Sequence, residues 1–242
     1  MDRRSFVETC AASATCVAGS LTGSLSAGLA RPALAADSRA RSYARVLLTD
    51  EQGQPLMASS LKAQTNYVFH YPFEATPVFL LNLNQPALPQ RLVTKSKSDY
   101  AWPGGVGPKQ SVVAFSAICA HKLVYPTAQV SFISFRKTKS AKGLQDNMIH
   151  CCADHSEYDP AKGAQVQRGP AEQPLCAVLL EHDAKADTLT AFATLGGELF
   201  DEFFRKYEFK LSLDVGPKAK NAVAGRAVVR ELDKFCRNSI QC

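Results

Sequence analysis

The body of the chain is predicted to be all-β, an antiparallel sandwich or small barrel, on two observations. Between residues 43 and 194, short segments rich in valine, phenylalanine and leucine alternate with turn residues. Prolines and glycines at Pro72, Pro77, Pro86, Pro89 and Pro103-Gly104-Gly105 break each run. Many short strands with frequent turns are the pattern of a sandwich or barrel. With 242 residues there is ample chain for a buried core, in one large domain or two small ones.

The predicted strands cover residues 67–71, 78–81, 111–117, 130–135, 176–180 and 189–192. After Gly196-Gly197 the character changes. Residues 198–209 are aromatic and charged and fit either a helix or a strand. Val223, Ala227, Val228, Leu232 and Phe235 follow a roughly helical stripe, which predicts a helix over residues 221–236. No internal repeat or low-complexity tract interrupts this order. The expected division is a leader over residues 1–35, a β domain over 36–197 and a partly helical C-terminal extension over 198–242.

The leader is read from its charge pattern. Arg3-Arg4-Ser5-Phe6 precedes an uncharged run from Thr9 to Ala30, followed by Arg31 and the Ala33-Leu34-Ala35 segment. The run is long enough to span a bilayer, yet it is mostly Ala, Ser, Thr and Gly. This resembles an export signal of the twin-arginine kind, cut after Ala35, with Cys10 and Cys16 lost with it. A retained N-terminal anchor is the competing reading. No other stretch is apolar enough to span, so the expected location is periplasmic. The resemblance also implies export in the folded state, which suits a cofactor inserted beforehand. The net charge of +6 is mild and lacks an aromatic-studded basic stripe, so nucleic acid is not an expected partner.

Chemistry is concentrated in two short spacings. Cys119-Ala120-His121 follows the apolar run Val112-Val113-Ala114-Phe115, and Cys152-Ala153-Asp154-His155 follows Met148-Ile149-His150. Each pair sits on a loop just after a strand. Two thiolates and two imidazoles can hold zinc or a binuclear iron–sulfur (2Fe–2S) centre. Cys-x-His is tighter than usual zinc-finger spacing, and each pair mixes one Cys with one His. That suits a cluster in which one iron takes both thiolates and the other both imidazoles. Cys151 gives the competing register, with three residues before His155, and Cys152 is preferred.

The run from Gly105 to His121, with Val113-Ala114-Phe115-Ser116 ahead of Cys119, resembles the first ligand loop of Rieske iron–sulfur proteins. It looks closest to the small subunits of arsenite oxidases. Cys152 to His155, followed by Tyr158-Asp159, resembles the second loop, and Gly169-Pro170-Ala171 resembles the proline loop that covers the cluster. The likeness spans residues 61–197 and includes the Tyr71-Pro72 strand. It implies a 2Fe–2S cofactor held by Cys119, His121, Cys152 and His155, within a small cluster-binding subdomain.

Departures accompany it. The loop cysteines that form a disulfide in many Rieske proteins are matched here by Val124 and Asp154. The second loop is one residue short between His155 and Tyr158, which puts the place of Ser156 beside the cluster in doubt. About thirty residues separate His121 from Cys152, more than the family leads one to expect, and residues 137–142 read as an exposed basic loop. Asp154 and Glu157 near the cluster would lower its potential, into the lower or middle part of about −150 to +300 mV.

The remaining residues take ordinary readings. His70, His150 and His182 are taken as structural or surface residues, and Cys176 as a buried thiol. Cys236 and Cys242 are candidates for a local disulfide, with pairings to Cys151 or Cys176 as alternatives. Tyr158 either bonds a ligand thiolate or fills the core. The resemblance therefore implies a one-electron carrier, not catalytic alone. It would work between a larger oxidoreductase, such as a molybdenum enzyme of arsenite-oxidase type, and a c-type cytochrome. The alternatives are the Rieske subunit of a quinol-oxidising cytochrome bc complex and a non-redox zinc or interaction module.

Overall fold

The computed structural model describes residues 40–138 and 145–242. The expected leader, with Arg3, Arg4, Cys10 and Cys16, lies outside the described residues. So does most of the basic loop; its described members, Lys137 and Thr138, are exposed.

The expected β architecture is present, and each predicted stretch between residues 67 and 192 is strand, except that 130–135 divides at Phe132 into Val130–Ser131 and Ile133–Arg136, which pair in different sheets. Eight strands build a large sheet in the order Gly225–Val228, Arg41–Thr49, Thr188–Leu195, Ala177–Asp183, Val112–Ser116, Pro77–Asn82, Tyr67–His70 and Arg230–Glu231. Its interior strands alternate apolar residues on both faces. Val78 and Leu80 enter one core with Val46, Leu48, Val112 and Ala191. Phe79 and Leu81 enter the other with Val113, Phe115, Ala177 and Ala193. A period of two with both sides apolar is what a sheet covered on both faces requires.

A smaller sheet runs in the order Gln165–Arg168, Ser156–Asp159, Met148–Cys151 and Ile133–Arg136. Its Ile133, Phe135, Ile149, Cys151 and Tyr158 share the second of those cores with Phe115, Ala117 and Cys119. The layer between the large and small sheets therefore contains both thiol-bearing loops. This is the feature of the fold that positions the site.

Residues 198–209 resolve as helix: Phe200–Lys206 and Glu208–Asp214 follow one another. Phe200, Phe203, Phe204 and Leu211 pack on Ile118, Leu123, Tyr125 and Cys176 just beyond the first loop. Tyr125 meets Phe203 edge-on at 4.9 Å and Tyr207 at 5.0 Å, the offset geometry that aromatic quadrupoles favour. Asp201 and Glu202 in the first turn and Arg205 and Lys206 in the last complement the helix dipole.

The helix expected over residues 221–236 does not form; only Leu232–Phe235 is helical. Gly225–Val228 instead pairs in parallel with Arg41–Thr49, and Arg230–Glu231 pairs antiparallel with Tyr67–His70. These two strands, separated by Val229 alone, cover opposite edges of the large sheet and nearly close it. Exposed edges leave unpaired backbone groups, and pairing them outweighs a weak helical stripe. Val223, Ala227 and Val229 are buried in the core with Val46 and Leu48.

Candidate metal centre

The first loop leaves the strand Val112–Ser116, where the Ser116 hydroxyl accepts the Ile118 N–H at 3.3 Å. The chain then closes on itself. The Cys119 N–H donates to the Val124 carbonyl at 2.9 Å, and the Leu123 N–H to the Cys119 carbonyl at 3.0 Å. This tight turn, with Leu123 at φ +58°, sends the Cys119 thiol into the core and leaves His121 at the rim.

The second loop joins the antiparallel strands Met148–Cys151 and Ser156–Asp159, with Cys151 opposite Ser156. Alternation along the first strand decides which cysteine faces inward. Cys151 is fully buried, and Cys152 points to the other side, half-buried. The turn is closed by the His155 N–H on the Cys151 carbonyl at 2.7 Å, with His155 at φ +61°. The Ser156 N–H donates to Asp154 Oδ1 at 3.0 Å and orients that carboxylate.

The two loops meet inside the core. Donor atoms of Cys119, Cys151 and Asp154 all lie within 4.8 Å of one another. Asp154 Oδ2 is 3.3 Å from Cys119 Sγ and 2.9 Å from His121 Nδ1. A hydrogen bond from Cys151 is the main reason the Cys119 thiol sits below its usual pKa, against burial. Cys151 is correspondingly pushed up, by that bond and by burial. Burial works to raise Asp154, but bonds from Ser156, Cys151, Cys119 and His121 outweigh it and hold the carboxyl below its normal range. Two neighbouring thiols, one held below its usual pKa, with a carboxylate and an imidazole at hand, are a donor set suited to a thiophilic metal.

The surroundings support this grouping. Tyr158 is fully buried; its phenol oxygen accepts the Ala120 N–H at 3.2 Å and lies 3.5 Å from Cys119 Sγ. The two readings of Tyr158 are thus both true: it fills the core and reaches the thiol. Ser156 Oγ accepts the Ala171 N–H at 3.2 Å, tying residues 169–171 over the second loop. Gly169, at φ +93°, lies so close that a Cβ would meet Ser156 Cα at 2.5 Å and the His155 carbonyl oxygen at 2.7 Å. No side chain fits there.

The expected four ligands are not brought together. Cys119 and His121 are at the site. Cys152 is bonded to Cys242 in a disulfide, and His155 is exposed and outside the donor group. The reason is the strand register: Cys151, not Cys152, lies on the core face, and the residue three further on is Asp154. This register also removes the apparent shortfall before Tyr158 and moves the position matched to Asp154 onto Ala153. The sequence signal for it was the Tyr158-Asp159 spacing, which fits Cys151 better than Cys152. The Cys152–Cys242 disulfide is not among the expected pairings, which leave Cys152 to the cluster. Cys236 is a buried free thiol whose Sγ is 3.1 Å from the Asn238 carbonyl, and Cys176 is buried and free as expected.

Of the histidines read as structural or surface residues, His150 is buried, opposite Glu157 with 3.9 Å between Nε2 and Oε2. His182 pairs with Asp187 at 2.8 Å. Among the described residues no helix is long and apolar enough to cross a membrane.

No family model matches the chain. Among solved structures it is similar to the soluble domain of the Rieske protein II (soxF) from Sulfolobus acidocaldarius, with 26% identity over 63% of this chain and 78% of that one, at a TM-score of 0.46.

Proposed function

We propose that the chain is an electron-transfer protein that carries a binuclear iron–sulfur centre of Rieske type between its two loops. The observation that carries this reading is the convergence of Cys119, Cys151, Asp154 and His121 where the two loops meet, the second loop being tied to residues 169–171 through Ser156. The residues fit such a group: two buried thiols close enough to share one iron, with the His121 imidazole toward the rim. When bound, the cluster supplies one-electron oxidation and reduction. Cys119 and Cys151 hold its buried side.

The protein's own groups tune the site. Because the Tyr158 oxygen accepts from Ala120, its proton is free for Cys119 Sγ, and a hydrogen bond on a cluster sulfur favours the reduced state. The Asp154 carboxylate acts in the opposite sense. The opposed effects favour the lower or middle part of about −150 to +300 mV. His121, with 34% of its side chain exposed, is the donor of the site that reaches the surface, where a partner would approach.

On this reading the chain passes electrons between a larger oxidoreductase, of the molybdenum arsenite-oxidase type by the likeness of its loops, and a c-type cytochrome. It works in the periplasm after twin-arginine export. Purified, it is red-brown, contains two irons per chain and gives an electron paramagnetic resonance signal only when reduced. A colourless protein with one zinc per chain rejects the proposal. That zinc reading is the second one, favoured by three donors lying within the span of a single ion. Co-purification with an oxidoreductase and a mature N-terminus after Ala35 test the partner and the export step.

A further inference from the structure

The binuclear reading leaves the fourth ligand to be assigned, and the geometry points to Asp154. We propose that its Oδ2 shares the outer iron with His121, so that the centre has two thiolates, one imidazole and one carboxylate. The inference rests on the proposed cluster and goes beyond it.

Three observations support the assignment. Only 2% of the Asp154 side chain is exposed, although Ala153 and His155 on either side of it are exposed. A carboxylate buried on an exposed turn costs free energy unless a cation or strong donors receive it. Next, its two oxygens have different duties. Oδ1 is held by the Ser156 N–H at 3.0 Å, which leaves Oδ2 aimed at Cys119 Sγ and His121 Nδ1. Orientation by a backbone donor is the usual way a protein presents one carboxylate oxygen to a metal. Finally, the competing histidine is badly placed. The His155 amide is tied back to the Cys151 carbonyl at 2.7 Å in a left-handed conformation, its side chain is exposed, and it lies outside the donor group.

A carboxylate brings a negative charge where an imidazole brings none, so this cluster is harder to reduce than one with two imidazoles in the same pocket. It also has a single coordinated nitrogen, which can be counted directly. The experiment is pulsed electron paramagnetic resonance on the reduced, full-length holoprotein, with iron per chain measured alongside. The wild type is expected to show one strongly coupled nitrogen. His155→Ala leaves that spectrum and the iron content unchanged. Asp154→His adds a second coupled nitrogen and raises the potential, and Asp154→Ala loses most of its iron.

Two coupled nitrogens in the wild type, one of them lost in His155→Ala, overturn the assignment and leave the cluster proposal standing. So does an Asp154→Ala protein with full iron and an unchanged spectrum. A wild-type protein that never forms a binuclear cluster overturns the proposed function, and this inference with it. The wild-type and His155→Ala measurements decide the matter even if the Asp154 variants do not fold.

Discussion

The large and small sheets bury very different side chains. In the large sheet, Pro77–Asn82 places Phe79 and Leu81 on one face and Val78 and Leu80 on the other, all at 1% exposure or less. Its buried polar residues are hydroxyls such as Thr49, Ser116 and Thr194. In the small sheet, Ser156–Asp159 is buried throughout, yet it carries Ser156, Glu157 and Asp159. These polar groups are engaged: Glu157 accepts the Gln145 N–H at 3.1 Å and lies 3.5 Å from the Arg168 guanidinium, and Asp159 accepts the Ala161 N–H at 3.0 Å. Apolar contact is cohesive but non-directional, whereas hydrogen bonds fix orientation at the cost of desolvation. The large sheet thus supplies stability, and the small sheet supplies aim.

The strongest way to break this contrast is to exchange single thiols where the two sheets meet. Cys119→Ser or Cys151→Ser should abolish iron binding and bleach the protein. Cys152→Ser, one residue away, should keep its iron and lose only the bond to Cys242, at about 2–4 kcal/mol of stability by urea unfolding. Equal iron loss at Cys151 and Cys152 would sink the register described here. On the cohesive side, Leu80→Ala, in the core on the far face of the large sheet, should cost about 2–5 kcal/mol by the same measurement. Its folded fraction should keep an unaltered cluster spectrum; a changed spectrum would mean the two sheets do not divide their tasks.

The smallest effect sharpens the contrast most. Tyr158→Phe removes one hydroxyl from the small sheet's core and should cost about 1 kcal/mol. The midpoint potential should fall, because Cys119 Sγ loses the donor that favours the reduced state. Redox titration of the variant checks this, and an unmoved potential would reduce Tyr158 to a packing residue.

The disulfide joins the site to the C-terminal segment. Asn238–Ser239 pairs in parallel with Val130–Ser131, the Ile240 N–H donates to the Ser131 carbonyl at 2.9 Å, and Arg136 bonds the Ile240 carbonyl and the Gln241 side chain. Cys242 then reaches Cys152. Residues that look like an appendage in the sequence are therefore packed beside the second loop.

Much of this was legible in the chain itself. Period-two apolar runs broken by proline determined the β class, and Cys119-Ala120-His121 after an apolar strand marked the first loop. Those signals are local: alternation and turn chemistry act between near neighbours. The second loop is legible too, but not which of its two adjacent cysteines faces the core. Cys151 and Cys152 are chemically identical, and only pairing with Ser156 and Ile133 across the strands decides which one faces the core. The segment 221–236 followed the same logic, because its strands exist to cover sheet edges set by residues 41–49 and 67–70. Local pattern was enough for the β class and for the positions of the two loops. Tertiary structure decided which cysteine, which oxygen and which edge, because burial and backbone pairing are settled between segments far apart in the chain.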